Sequence, residues 1–263
     1  MQIAITAGTS GPGKTQYFIN QAYISYLRES GYSPMLLVPG SDIEFAANNA
    51  AGLLLPGGID IDPVFYGEDN TGSFSVDPER DDFERQVFYA FGNVNKPIFG
   101  ICRGFQLIAR EFMRTFREES KYLDFYQHIN KHNPTNDYSL ARTYPSHSIN
   151  AFTQELYENG KQGFNRVFVN SMHHQGLIVT PQDKKDKFSI NHGLLQIMAY
   201  TNFGINPKIK GALVEAFKIE NWFNNRILAV QWHPEELKDL NLLRSFFGGN
   251  NVNHNGVHQN HRS

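Results

Sequence analysis

Over the first hundred or so residues, short apolar runs alternate with stretches of helical spacing, and this rhythm constrains the fold more than any other feature. Gln2–Ala7 reads as a strand, Thr15–Glu29 as an amphipathic helix stopped by Gly31, and Ser33–Val38 as a second strand closed by Pro39 and Gly40. Ala51–Leu55 is a third strand, Asp81–Phe91 has helical spacing, Pro97–Ile101 is a fourth strand, and Gly104–Arg117 a helix. Strand–helix alternation of this kind predicts an α/β fold, a doubly wound and mostly parallel sheet with helices on both faces. Further strands are expected at Arg166–Asn170, Leu195–Tyr200, Ala212–Ile219 and Ile227–Gln231, with a closing helix at Asp239–Phe247. Lys121–Ser146 has no clear period.

The chain has 263 residues, 40% of them hydrophobic and 19% charged, enough apolar material for one large domain over 1–247. Residues 248–263 are nearly without apolar side chains and read as a disordered tail, whose three histidines, His254, His258 and His261, are better explained by solvation than by metal binding. A formal net charge of −2 gives no basic field for nucleic acid. With one cysteine, no signal-peptide pattern and no apolar run near the roughly 18 residues of a membrane span, a cytoplasmic protein is expected, with neither nucleic acid nor membrane as partner.

Open doubly wound sheets carry their sites beyond the carboxyl ends of the strands. At one such end the run Pro97–Ile101 enters Gly100-Ile101-Cys102-Arg103-Gly104 and then a helix, the layout of a nucleophile elbow. A thiol there meets a helix N-terminus, which favours thiolate, and the Arg103 N–H points to where an oxyanion would form. A lone cysteine is otherwise a small buried hydrophobe. A thiol also needs a base, and a base needs an orienting acceptor. Leu228–Glu235 offers both, because His233 follows an apolar strand and Glu235, two residues on in extended chain, faces the same side. The third feature is Leu55-Pro56-Gly57-Gly58, where a glycine pair after a strand presents N–H groups to an anion or simply makes a turn.

Together, and in this order, the Gly-Gly loop, the Cys elbow and the His-Pro-Glu segment resemble class I glutamine amidotransferases. The likeness narrows to the γ-glutamyl-γ-aminobutyrate hydrolase branch on Pro56–Pro63 with Tyr66-Gly67-Glu68, Asp77–Glu84, Cys102–Gln106, Val169–Gln175 and Gln231–Glu235. The resemblance implies a flavodoxin-like class I fold and a hydrolase of γ-glutamyl amides that works through a γ-glutamyl thioester. It implies Cys102 as nucleophile, His233 as proton carrier and Glu235 as its orienter, with Gly58 and Arg103 supplying oxyanion N–H groups. It implies substrate contacts from Gly57, Asp60, Gln106, His174 and Gln175, with Arg80 a motif position of undefined role. Arg80 otherwise serves a salt bridge, and His173 and His174 a surface pair. No cofactor or metal is implied. The partner is a small γ-glutamyl substrate, with a separate synthetase fed by a glutaminase, or a homodimer, left open.

Two segments depart from that pattern. Arg110–Ser120 replaces a glycine-rich stretch, and Thr180–His192 is an insertion, so both are expected to reshape the pocket. A competing motif, Gly8–Thr15, fits the phosphate-loop pattern between a strand and a helix and would make the chain a nucleotide-binding module. The acid that such a loop needs at a strand end for Mg²⁺ is missing, so a plain glycine-rich turn is favoured.

Overall fold

The computed structural model describes residues 1–9, 16–129, 132–137, 139–157, 160–182, 189–202 and 211–248. In chain order the elements are β1 (Gln2–Thr6), β2 (Gly8–Thr9), β3 (Tyr17–Phe18), α1 (Gln21–Glu29), β4 (Ser33–Leu37), α2 (Ile43–Asn49), β5 (Gly52–Leu55), a 3₁₀ turn at Pro63–Tyr66, α3 (Pro78–Asn93), β6 (Ile98–Ile101) and α4 (Arg103–Thr115). They continue with β7 (Leu123–Tyr126), α5 (Pro134–Asp137), β8 (His147–Phe152), α6 (Thr153–Leu156), β9 (Phe164–Val169), β10 (Gly176–Val179), β11 (Asn191–His192), β12 (Leu195–Thr201), β13 (Ala212–Glu220), β14 (Arg226–Val230), α7 (Pro234–Leu237) and α8 (Leu240–Gly248).

The sheet runs β4-β1-β5-β6-β14-β13-β12-β8-β9, with β10 joined to β13 and β7, and β11 to β12. From β4 to β14 every pairing is parallel; from β14 outward the strands are antiparallel. Alternation along a strand sends successive residues to opposite faces. Leu53 and Leu55 therefore join Phe88, Phe91, Phe105 and Phe112 of α3 and α4, while Leu54 joins Tyr23, Tyr26 and Leu27 of α1 and Leu242 and Phe246 of α8. Helices thus cover both faces, as expected. Phe105 packs on Phe217 of β13 at 4.7 Å between ring centroids; truncating such a buried ring to alanine costs about 3–5 kcal/mol.

Register positions the site. Leu55 pairs with Gly100, and Ile101 with Val230, so β5, β6 and β14 end level with one another. Pro56-Gly57-Gly58, Cys102 and Gln231–Glu235 therefore leave the sheet at one edge.

One helix departs from expectation. Thr15–Glu29 is not a single helix: Tyr17–Phe18 pairs antiparallel with Gly8–Thr9, and α1 begins at Gln21, where Asn20 Oδ1 accepts from Ala22 N at 3.0 Å. That cap satisfies a first-turn N–H that has no intrahelical carbonyl when the helix starts here. Lys14 lies outside the described residues, as does Thr15, but the helix begins six residues beyond Thr15 (21 − 15), so the motif does not sit at a helix N-terminus as a phosphate loop requires. The tail beyond Gly248 is likewise outside the described residues. No described helix is long and apolar enough to cross a membrane.

Candidate active site

A cavity of about 760 Å³ opens at this edge, lined among others by Gly57, Gly58, Asp60, Arg80, Cys102, His174 and His233. Cys102 stands between β6 and α4 with φ 51 and ψ −100, a sterically disfavoured backbone for a residue with a Cβ. Its N–H donates to the Val230 carbonyl at 2.8 Å, which ties the elbow to β14. Gly104 lets α4 start so close to the sheet, because a Cβ there would collide with the Leu55 carbonyl. No side chain caps α4, so its first N–H groups keep their capacity for an anion beside the sulfur.

His233 is buried, with Nδ1 2.7 Å from Glu235 Oε1 and Nε2 without a hydrogen-bond partner among the described residues. Burial works to lower its pKa, but the Glu235 carboxylate and Cys102 outweigh that and push it up to about 10. Both partners thus favour the protonated ring. Glu235 reaches the ring from the first turn of α7, which Pro234 opens, and not from extended chain as the spacing suggests. Asn170 clamps His233 from behind: its Oδ1 accepts from His233 N at 3.0 Å and its Nδ2 donates to His233 O at 3.1 Å.

Tyr23 reads in the sequence only as part of an amphipathic helix, yet it lines the cavity. Its hydroxyl accepts from the Gly57 N–H at 2.8 Å and stands 3.4 Å from His233 Nδ1. Burial, with Glu235 and Cys102 nearby, holds the phenol well above its ordinary range, so it stays neutral. Tyr23 thereby links the Gly-Gly loop to the His–Glu pair. No sequence pattern separates such a tyrosine from its core neighbour Tyr26. Asn170 lies within the Val169–Gln175 motif, but the motif alone gives it no role.

Arg103 divides its duties. Its N–H belongs to the helix start, while its side chain is buried in ion pairs with Asp81 and Glu84 of α3. Arg80 Nε joins Glu84 at 2.8 Å and its Nη2 donates to the Gly57 carbonyl at 3.0 Å. Burial raises the Asp81 pKa to about 6 despite Arg103. Glu84 also feels burial pushing upward, but two arginines draw it below the usual carboxylate range. The guanidinium of Arg80 fills the space where a Gly58 side chain would be. Arg80 is thus both in a salt bridge and on the cavity wall.

The remaining expected contacts separate into two groups. Asp60 and His174 meet on the wall, Asp60 Oδ2 2.8 Å from His174 Nε2, with the Phe74 ring tilted against His174 at 4.9 Å between centroids. Gln106 and Gln175 do not line the cavity. Both are buried behind it, with Gln106 Nε2 donating to the Gln175 carbonyl at 3.3 Å and Gln175 Nε2 to Ser73 Oγ at 2.6 Å, so their amides brace the wall. Gly57 lines the cavity, but its N–H and carbonyl are taken by Tyr23 and Arg80. His173 is not a surface residue: it is buried, and burial drops its pKa to about 3 although Glu215 opposes this. Neither Arg110–Ser120 nor the described part of Thr180–His192 reaches the cavity. Arg110 instead stacks over Tyr66 at 3.5 Å and pairs with Glu68 at 2.8 Å.

Comparison with known proteins agrees with this architecture. Residues 3–235 match the Peptidase C26 family. The chain is 32% identical over 225 residues to the putative glutamine amidotransferase-like protein YvdE of Lactococcus lactis subsp. lactis, covering 83% of this chain and 80% of that protein. It is 26% identical over 249 residues to the γ-glutamyl-γ-aminobutyrate hydrolase PuuD of Escherichia coli K12, covering 90% and 86%. Its fold superposes on the glutaminase domain of Trypanosoma brucei CTPS with a TM-score of 0.53, at 16% identity, over 94% of this chain and 92% of that one. The chain belongs to the Peptidase C26 family, among the class I glutamine amidotransferase-like proteins.

Proposed function

We propose that this protein is a free-standing hydrolase of γ-glutamyl amides that works through a γ-glutamyl thioester on Cys102. The observation that carries the reading is the strained Cys102 at the uncapped start of α4, sharing one cavity with a His233 that Glu235 keeps protonated. The hydrolase relatives and the family support a hydrolase acting on a C–N bond.

In this reading the Cys102 thiolate adds to the amide carbon, and the carbonyl electrons move onto oxygen. The oxyanion takes N–H donors from Gly58 and Arg103. Gly57 does not serve here, since its N–H is committed to Tyr23. The intermediate collapses, the C–N bond breaks, and His233 Nε2–H gives its proton to the departing amine. Neutral His233 then takes a proton from water, hydroxide adds to the thioester carbon, and glutamate leaves as sulfur regains its thiolate. Glu235 holds the ring through Nδ1 in both halves. Asp60, on the wall beside His174, is suited to the α-ammonium group of the glutamyl moiety. Phe18, Asn20, Phe74 and Arg142 line other parts of the cavity and are available to the amine.

The test is to incubate the purified chain with glutamine and a panel of γ-glutamyl amines, and to measure glutamate. Wild type is expected to release glutamate without any added protein, and Cys102→Ala to lose about 10⁴-fold in rate. An ammonia-supplying subunit would instead stay silent until a synthetase is added. If no substrate yields glutamate or a thioester adduct on Cys102, with or without cell extract, the reading fails.

A further inference from the structure

Below the cavity wall lies a second cluster that the thioester chemistry does not use. Glu215 of β13 is fully buried, and three imidazoles face it: His147 Nε2 at 3.1 Å, His132 Nε2 at 3.7 Å and His173 Nε2 at 4.0 Å from Oε1. Among the described residues no lysine or arginine pairs with this carboxylate. A buried carboxylate is costly unless positive charge meets it, and against burial only imidazoles, His147 first, draw its pKa down. The tautomer of His173 is fixed, because its Nδ1 donates to the Gln175 carbonyl at 2.8 Å. Its Nε2 is then a bare lone pair, buried, without a hydrogen-bond partner, and turned toward a carboxylate whose Oε2 also has none. Two electron-rich groups facing one another call for a positive centre between them.

We propose that His132, His173 and Glu215 form a site for a divalent transition metal of the zinc class. Imidazole nitrogen and carboxylate oxygen suit that class, and a ring whose other nitrogen donates to a backbone carbonyl is oriented as metal-bound histidines usually are. The three donor atoms all lie within 4.8 Å of one another. Tetrahedral zinc, with bonds of about 2.0–2.2 Å, sets donors about 3.3 Å apart, so each must draw inward by roughly three-quarters of an ångström at most. His147 stays outside the donor set and orients Glu215 through its own hydrogen bond. The metal joins three separate pieces of chain: β13, the segment after β9 that carries His174 and Gln175, and the segment after β7. Its role is structural, since all three donor residues are buried and none lines the cavity. The donors stand 41 and 42 residues apart (173 − 132 and 215 − 173), which is why no ligand spacing betrays them in sequence.

The test uses the full chain, stripped with chelator and dialysed, then titrated with Zn²⁺ and, separately, with Co²⁺. Two other thiol or imidazole sources must be separated from the cluster, Cys102 and the tail histidines. The comparison set is therefore wild type, His173→Ala, Glu215→Gln, Cys102→Ala, and His254→Ala/His258→Ala/His261→Ala. The expected result is about one tightly bound zinc per chain in wild type, in Cys102→Ala and in the tail variant, with the visible bands of tetrahedral cobalt. Zinc is expected to raise Tm by about 4 °C or more. His173→Ala and Glu215→Gln, folded by circular dichroism, are expected to lose the stoichiometric metal, the cobalt bands and the Tm shift. Should either variant fail to fold, wild type still decides: no zinc uptake and no Tm shift overturns the site. So does uptake that survives Glu215→Gln and His173→Ala but vanishes in Cys102→Ala or in the tail variant.

Discussion

His233 beside Glu235, and His173 beside Glu215, are both buried histidines facing a buried carboxylate, yet they titrate in opposite directions, one pushed up to about 10 and the other down to about 3. Burial lowers both. What differs is the contact. Glu235 meets a ring nitrogen at 2.7 Å, with Cys102 adding to the attraction. Glu215 stands 4.0 Å from His173, whose one N–H is spent on a neutral carbonyl and whose neighbours include the like-charging His132. A carboxylate at hydrogen-bond distance overturns desolvation, whereas one shared among several imidazoles at longer range does not. The first arrangement holds a proton ready for transfer; the second leaves a lone pair.

The sharpest way to break this contrast is Glu235→Gln. The amide keeps the shape of the pair but removes the charge that raises His233. The expected loss in kcat is about 10⁴-fold, the size seen when a base loses its orienting charge. The alkaline limb of kcat/KM, near pH 10 in wild type, should move toward the ordinary histidine range. Stability follows the same sign. A group whose folded pKa lies above its unfolded value stabilises fully below about 6.5 and loses that contribution as pH rises through about 10. Wild type should therefore lose Tm between those limits, measured by thermal melts, and Glu235→Gln should flatten the slope. An unchanged alkaline limb would show that Glu235 does not set the proton affinity of His233.

How far the sequence discloses these two regions follows from their strands. In the parallel half, β1, β5, β6 and β14 are covered on both faces, so these strands are short continuous apolar runs, legible with the edge strand β4 to within about two residues. Cys102, His233 and Gly57-Gly58 sit directly at the ends of such runs and are legible with them. The antiparallel half is mixed in character. His147–Phe152 alternates buried with less buried positions, Leu123–Tyr126 carries an acid, and neither stands out as a strand in the sequence. The Glu215 cluster draws one residue from each of four segments of that half, so only the register of β13 against its neighbours brings it together. Tyr23 is hidden for a related reason: its ring belongs to the α1 core, and only its hydroxyl reaches the site.

Tyr23→Phe is the next largest expected effect. The ring still packs, but the part-buried Gly57 N–H loses its acceptor, at a cost of about 1 kcal/mol to the loop that carries Gly58. A fall of about tenfold in kcat, with KM nearly constant, is expected in steady-state assays. A rise in KM alone would mean that Tyr23 shapes the cavity without steadying the loop.

A third histidine–carboxylate pair, His174 and Asp60, lies on the cavity wall and is less deeply buried than the other two. Asp60→Asn keeps the size of the side chain and its capacity to accept from the Phe74 N–H, now at 2.7 Å, but removes the charge offered to an α-ammonium group. A partly exposed pair of this sort is worth about 1 kcal/mol, so KM is expected to rise roughly fivefold with kcat within about twofold. A substrate lacking the α-amino group should erase the difference between variant and wild type; if it does not, Asp60 acts through the loop and not on the substrate.

The smallest effect on turnover is expected from Glu215→Gln, and that smallness distinguishes the two buried histidine sites. The amide keeps an acceptor for His147 but cannot match the charge that three imidazoles now surround. Losing one partner of a buried polar cluster costs stability, here about 2 kcal/mol given that the amide still bonds, which for a chain of this size lowers Tm by about 4–8 °C. Yet Glu215 lines no part of the cavity, so kcat and KM measured well below the melting range should both stay within about 1.5-fold of wild type. The same carboxylate-to-amide change, made beside two buried histidines, would then cost turnover at Glu235 and stability at Glu215. A hundredfold loss of kcat in folded Glu215→Gln would erase that division, and would mean that the cluster steers the chemistry through the Asn170–Gln175 segment it underlies.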